Sequence, residues 1–159
     1  MKKLALFAAA FAALMSTAAA GSAAPGATAT LGPPTVTLHF LEIQTGFVST
    51  GPEGRRPQFG DRFSFHSEFY KWRNGKRGAH LGHADASGIA LTHTMQVTGV
   101  AWLPGGTLTV VGMEPNRPVT TLAVVGGTGI YATARGQVTF HSLGGPNSGR
   151  AADTVKLWL

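Results

Sequence analysis

The chain has 159 residues, 13 Lys and Arg against 7 Asp and Glu, a net charge of +6 and no cysteine. That length suits one domain with its own core, and the absence of cysteine excludes a disulfide framework and thiol chemistry. No nucleic-acid-binding motif is recognisable, so the basic balance is not read as a nucleic-acid footprint.

Met1-Lys2-Lys3 is a short basic head, Leu4 to Met15 is an apolar run, and Ser16 to Ala24 supplies small residues with Ala-x-Ala sites. This is the pattern of a secretory signal peptide, residues 1–24, with a cut expected between 20 and 29. The run is too short to span a bilayer comfortably, so a secreted, extracellular protein with no membrane span in its mature form is expected. Residues 25–34 are rich in Ala, Pro, Gly and Thr and read as a flexible lead-in. Residues 35–159 read as a single β domain.

The first strand is expected over 36–43, followed by a long Gly/Pro/Arg-rich loop from Thr45 to Gly60. Residues 62–72 form the second strand, closed by the hairpin signal Asn74-Gly75. The third covers 77–86, with a turn at Ser87-Gly88. Residues 89–103 alternate best, Leu91, His93, Met95 and Val97 on one face against Thr92, Thr94, Gln96 and Thr98. Pro104-Gly105-Gly106 interrupts, and strands over 107–113, 119–125, 131–142 and 153–159 complete a set of eight. No helix-length amphipathic segment follows the signal. Such spacing argues a sandwich or a closed barrel.

Without Lys2 and Lys3 the charge is +4, and much of the basic excess lies in Arg55, Arg56, Arg62, Lys71, Arg73, Lys76 and Arg77. A solvated loop and hairpin end explains that run; attraction to anionic polymers or membranes is the alternative. The six histidines include His80 and His83, whose spacing puts them on opposite faces of a regular strand, so no metal site is expected. No Gly-x-Ser-x-Gly nucleophile elbow is present.

Five motifs in order carry a resemblance. Leu41-Glu42-Ile43-Gln44 opens the domain. Gly60-Asp61 leads into a strand ending in Phe69-Tyr70. Gly78 and Gly82 form a Gly-x-x-x-Gly strand, and Gly106-Thr107-Leu108-Thr109-Val110-Val111-Gly112 precedes the corner Gly126-Gly127-Thr128-Gly129. Between residues 36 and 143 the chain resembles the allene oxide cyclase and dirigent proteins. The resemblance implies an all-β, eight-stranded antiparallel β-barrel, calycin-like, with a lipophilic cavity, often a homotrimer. It also implies no cofactor and no metal: such barrels steer a reactive small molecule by confinement and a few polar groups.

In that alignment Glu42 is the cavity carboxylate of the cyclases, while Asp61 and Arg135 match the polar groups of dirigent proteins; these three are the catalytic candidates. Leu38, Phe40, Gln44, Phe63, Phe65, Ser67 and Phe69 are the candidate ligand-binding wall, and Glu114 replaces a cyclase tyrosine. His83-Ala84 stands where plant cyclases carry a cysteine, and Tyr131 and Arg135 replace their Phe and Tyr, so the cyclase substrate does not carry over. The expected function is a secreted barrel that binds a small hydrophobic or aromatic molecule and guides its cyclisation or coupling. The alternatives are a carrier without turnover and a structural domain whose barrel is filled by side chains.

Overall fold

A computed structural model describes residues 32–53, 55–115, 117–144 and 148–159. The segment read as a signal peptide lies outside the described residues. The chain forms β1 (Val36–Ser49), β2 (Arg62–Arg73), β3 (Lys76–Ala90), β4 (Thr94–Leu103), β5 (Gly106–Pro115), β6 (Val119–Gly127), a 3-10 turn (Gly129–Tyr131), β7 (Arg135–Ser142) and β8 (Arg150–Trp158). Every strand pairs with its sequence neighbours, and β1 also pairs antiparallel with β8, so the sheet closes as an eight-stranded barrel. Closure leaves no unpaired sheet edge.

Several expected boundaries shift, and three of the shifts bear on the site. Ser87-Gly88 does not turn the chain; it lies inside β3, and the turn falls at 91–93. A Cβ on Gly88 would sit 2.0 Å from the Gln96 carbonyl oxygen and 2.7 Å from the Phe63 ring. Glycine is there for close approach, a use that composition cannot distinguish from a turn. β7 begins at Arg135 and not at Tyr131, because Tyr131 belongs to the 3-10 turn. At that corner Gly129 has φ +61°, and a Cβ would lie 2.0 Å from the Gly105 carbonyl oxygen. The β4–β5 and β6–β7 connections thus interlock through glycine backbone, tied further by Thr107 Oγ1 and Thr128 Oγ1 at 2.8 Å. Finally, β1 runs to Ser49, six residues beyond its expected end.

Bulges at Thr45 and Leu81 reset which residues face inward near the site. The β1–β2 register slips between Gln44 and Gly46, which brings Phe47 onto the inner face beside Phe63, ring centroids 6.2 Å apart. The β2–β3 register slips at Leu81, since Phe69 pairs with Gly82 and Tyr70 with His80. His80 and His83 therefore share the outer face: His80 Nε2 reaches Glu68 Oε2, and His83 stacks on Trp102. The expectation of opposite faces assumed an unbroken period of two.

The ends of the barrel differ. The β2–β3, β4–β5 and β6–β7 connections gather at one end, where Tyr131, Ala134 and Leu157 are buried and close the bore. Tyr131 Oη donates to the Pro104 carbonyl at 3.3 Å. Leu157 has no exposed surface, and truncation to Ala is expected to cost about 2–5 kcal/mol. The opposite end, where the β1–β2, β3–β4, β5–β6 and β7–β8 loops meet, is open.

Candidate functional site

A cavity of about 860 Å³ runs inward from the open end. Pockets of a few hundred to about 1,000 Å³ suit a drug-sized molecule. The filled-barrel alternative is thereby excluded: side chains plug one end and leave the rest hollow. Phe40, Phe63, Phe65 and Phe69 line the cavity, with Phe40 and Phe69 in contact at 4.6 Å between centroids. They alternate along β1 and β2 because successive strand residues point to opposite sides of the sheet.

Of the residues expected from the sequence, Phe40, Glu42, Gln44, Phe63, Phe65, Ser67, Phe69 and Glu114 all line this cavity. Three do not. Leu38 is in phase with Phe40 but packs against the core cluster, nearer the plugged end. Asp61 sits in the β1–β2 loop, where Oδ2 accepts the Gln58 N–H at 2.8 Å and lies 3.6 Å from the Arg55 guanidinium. That is a turn-holding role. Arg135 starts β7 at the far end, exposed, and donates to the Ala134 carbonyl at 2.8 Å. The structure thus separates Asp61 and Arg135 from Glu42.

A different group joins Glu42. Asp153 is 2% exposed and lines the cavity. On β8 it is paired with Phe40 of β1 and Phe140 of β7, which places it diagonally across from Glu42, itself paired with Ala151. Ser67 occupies the mirror diagonal on β2, since Phe69 pairs with Glu42. Neither Asp153 oxygen nor Ser67 Oγ closes a hydrogen bond within ordinary limits of distance and angle, yet the Glu42 carboxyl lies near enough to both to interact. Buried acceptors of this kind are costly unless a ligand or water completes them.

The electrostatics follow from that arrangement. Burial pushes the Glu42 carboxyl above its ordinary range, while Ser67 and Asp153 partly draw it back. Asp153 is raised well above its ordinary value, first by burial and then by the neighbouring Glu42 charge. Glu114 is raised by burial and by Glu42. Desolvation penalises a charged carboxylate, and like charges facing one cavity penalise a second ionisation. The site therefore holds protons on carboxyls at pH values where free acids have lost them.

Asp153 was legible in principle. Asp153, Val155 and Leu157 alternate with Thr154 and Lys156, an apolar face carrying one acid. Phe47 was not, because only the bulge turns it inward. The run of basic residues also divides: Arg55 and Arg56 line the cavity mouth, while Lys71, Arg73, Lys76 and Arg77 surround a small hollow at the opposite end. Strand β2 separates the two groups by roughly 35–40 Å of extended chain.

No family model and no curated protein matches the sequence. Solved structures do. A pyocyanin demethylase is 20% identical with a TM-score of 0.61, over 77% of this chain and 100% of that one. A pterocarpan synthase dirigent protein is 21% identical with a TM-score of 0.59, over 77% of this chain and 82% of that one. A Diels–Alderase from Streptomyces koyangensis is 17% identical with a TM-score of 0.61, over 77% of this chain and 63% of that one. The chain therefore has the dirigent-like barrel fold. At these identities the likeness is one of fold, and the chemistry has to be argued from the site.

Proposed function

We propose that this barrel binds a small hydrophobic or aromatic molecule and guides its cyclisation or coupling, with the Glu42–Asp153 pair supplying the proton transfer or hydrogen bonding. The observation that carries this reading is the unsatisfied, buried Asp153 carboxyl next to Glu42 in an open cavity with an aromatic wall. A structural ion pair would have a cation there; here the acids have each other. A carboxyl held protonated in an apolar pocket can donate to a developing oxyanion, and its ionised partner can stabilise developing cation character. The aromatic wall fixes orientation, which is what selects one stereochemical outcome. The fold shared with a dirigent protein and a Diels–Alderase supports the same class of reaction.

The test uses Phe65→Trp fluorescence for binding of a phenylpropanoid phenol. Chiral chromatography then follows coupling of that phenol by an added one-electron oxidant. Binding with a product ratio displaced from racemic is expected. Glu42→Gln should keep binding and lose the displacement. If binding persists and the product stays racemic with the native chain across a phenol panel, the carrier reading takes its place. Export to the extracellular space and assembly as a homotrimer belong to the same proposal.

A further inference from the structure

Charge is sorted along the barrel axis. Of the seven acidic side chains, Glu42, Glu114 and Asp153 line the cavity, and Glu53 and Asp61 belong to the β1–β2 loop at the open end. Glu68 and Asp85 lie on the outer face of β2 and β3, engaged by His66 and His80. None is left for the plugged end. There the β2–β3 hairpin carries Lys71, Arg73, Lys76 and Arg77, all exposed, and residues 69–84 contain no Asp or Glu.

These four cations surround one hollow of about 280 Å³. None of them forms an ion pair among the described residues. Arg77 is positioned through its flat face: the guanidinium carbon stands 4.9 Å from the centroid of the Tyr70 ring, and that ring meets His80 edge-on at 5.4 Å. Stacking uses the face of the guanidinium and leaves its in-plane N–H groups for an oxyanion. Gly78 also lines the hollow, and a Cβ there would sit 3.1 Å from the Lys71 Cβ, so a larger residue would crowd the space beside Lys71. Like charges gathered this closely repel one another until an anion neutralises them.

The surroundings select the kind of anion. No apolar side chain lines the hollow, so it offers nothing to insert into a bilayer. No aromatic ring lines it either, so a nucleic-acid base has no platform to stack on. Lys156 of β8 and Arg135 of β7 stand toward the same end, two and three strands round the barrel from β2, which carries the basic surface past a single group. We infer that the hairpin end docks an anionic polysaccharide bearing sulfate or phosphate esters. One ester oxyanion sits in the hollow, bound by charge-assisted hydrogen bonds from Arg73, Lys76 and Arg77, and its neighbours run toward Lys156 and Arg135. Docking at this end leaves the cavity mouth facing away from the polymer.

The experiment titrates the full chain with a dextran sulfate oligomer and, in parallel, with unsubstituted dextran. Dextran sulfate is expected to bind and dextran is not, with an affinity that falls steeply as salt is raised. Arg73→Ser/Lys76→Ser should weaken binding about tenfold or more. Arg77→Lys should weaken it less, because the charge stays and only the fork is lost. Arg62→Ser/Arg117→Ser removes the same charge from the open end and should change the affinity by less than about twofold. An unchanged urea midpoint confirms folding in each variant. Equal losses in the two double variants reduce the binding to net charge and overturn the inference, as does failure of dextran sulfate to bind at low salt. If phosphatidylglycerol vesicles or a single-stranded oligothymidylate bind more tightly than dextran sulfate at matched charge, and lose that binding in Arg73→Ser/Lys76→Ser, the polysaccharide assignment falls and that partner replaces it.

Discussion

Asp153, buried and raised well above its ordinary value, bears on how the fold responds to pH. A carboxyl raised on folding contributes stability that is fully present below its ordinary value, 3.8 for Asp and 4.5 for Glu, and that stability is lost as pH rises through the raised value. Glu42, Glu114 and Asp153 all shift in this direction. Chemical denaturation is therefore expected to show stability declining as pH rises above these ordinary carboxyl values. Asp153→Asn should flatten that decline and raise stability at the upper end, because one of the mutually repelling acids is gone. A decline unchanged in the variant would assign it to other groups. Gly88 offers a second test at this scale. Gly88→Ala pushes a methyl against the Gln96 carbonyl and the Phe63 ring, a conflict of overpacking expected to cost about 1–3 kcal/mol in urea unfolding.

Strands β2 and β3 carry a chain of side-chain contacts on their outer face. His66 Nδ1 meets Asp85 at 2.7 Å, His66 Nε2 meets Glu68 at 3.2 Å, and the other Glu68 oxygen takes His80. Hydrogen bonding to Asp85 and then Glu68 raises His66, and hydrogen bonding to His80 and then His66 lowers Glu68. The signs differ. The His66 contribution is present below its ordinary 6.5 and is lost as pH rises through the raised value; the Glu68 contribution is present above 4.5 and is lost as pH falls through the lowered value. Protection of the amides in this hairpin, taken relative to their intrinsic exchange rates at each pH, should be greatest between those limits. Glu68→Gln should remove the acid-side acceleration, and all four groups are solvent-facing enough that the effect stays local. This cluster also shows where sequence reading stops. Eight strands were readable from period-two alternation and turn signals. The bulges at Thr45 and Leu81 were not, since an extra residue in one strand is visible only against its partner, and each reversed the face of what followed. The same limit explains the site: Phe40 to Gln44 and Phe63 to Phe69 precede or avoid a bulge and were placed inside, whereas Phe47 follows one.

For the molecule as a whole, resemblance identified the barrel but not all of its polar chemistry. Glu42 lies inside as expected, while Asp61 and Arg135 match in sequence motif and serve loop and corner instead. The buried acid beside Glu42 comes from the last strand, where the resemblance is loosest. The basic head, apolar run and small-residue tail of residues 1–24 lead to a separate expectation. Mass spectrometry of exported material should find a new amino terminus between residues 20 and 29, and intact Met1 in the extracellular fraction would overturn it.

The pairing of β1 with β8 brings Thr35 and Leu159 together. The Thr35 N–H donates to the Leu157 carbonyl at 2.8 Å, and the Leu159 N–H reaches Thr35 Oγ1 at 3.5 Å. A closed ring of strands joined each to the next has no architectural beginning, so the order in which the chain visits them is a matter of where it is cut. A circular permutant that links 159 to 35 through a few glycines and opens between Asn74 and Gly75, far from the cavity mouth, should refold to the same barrel. Its ligand affinity should match that of the parent chain, while its folding rate reports which seam closes last.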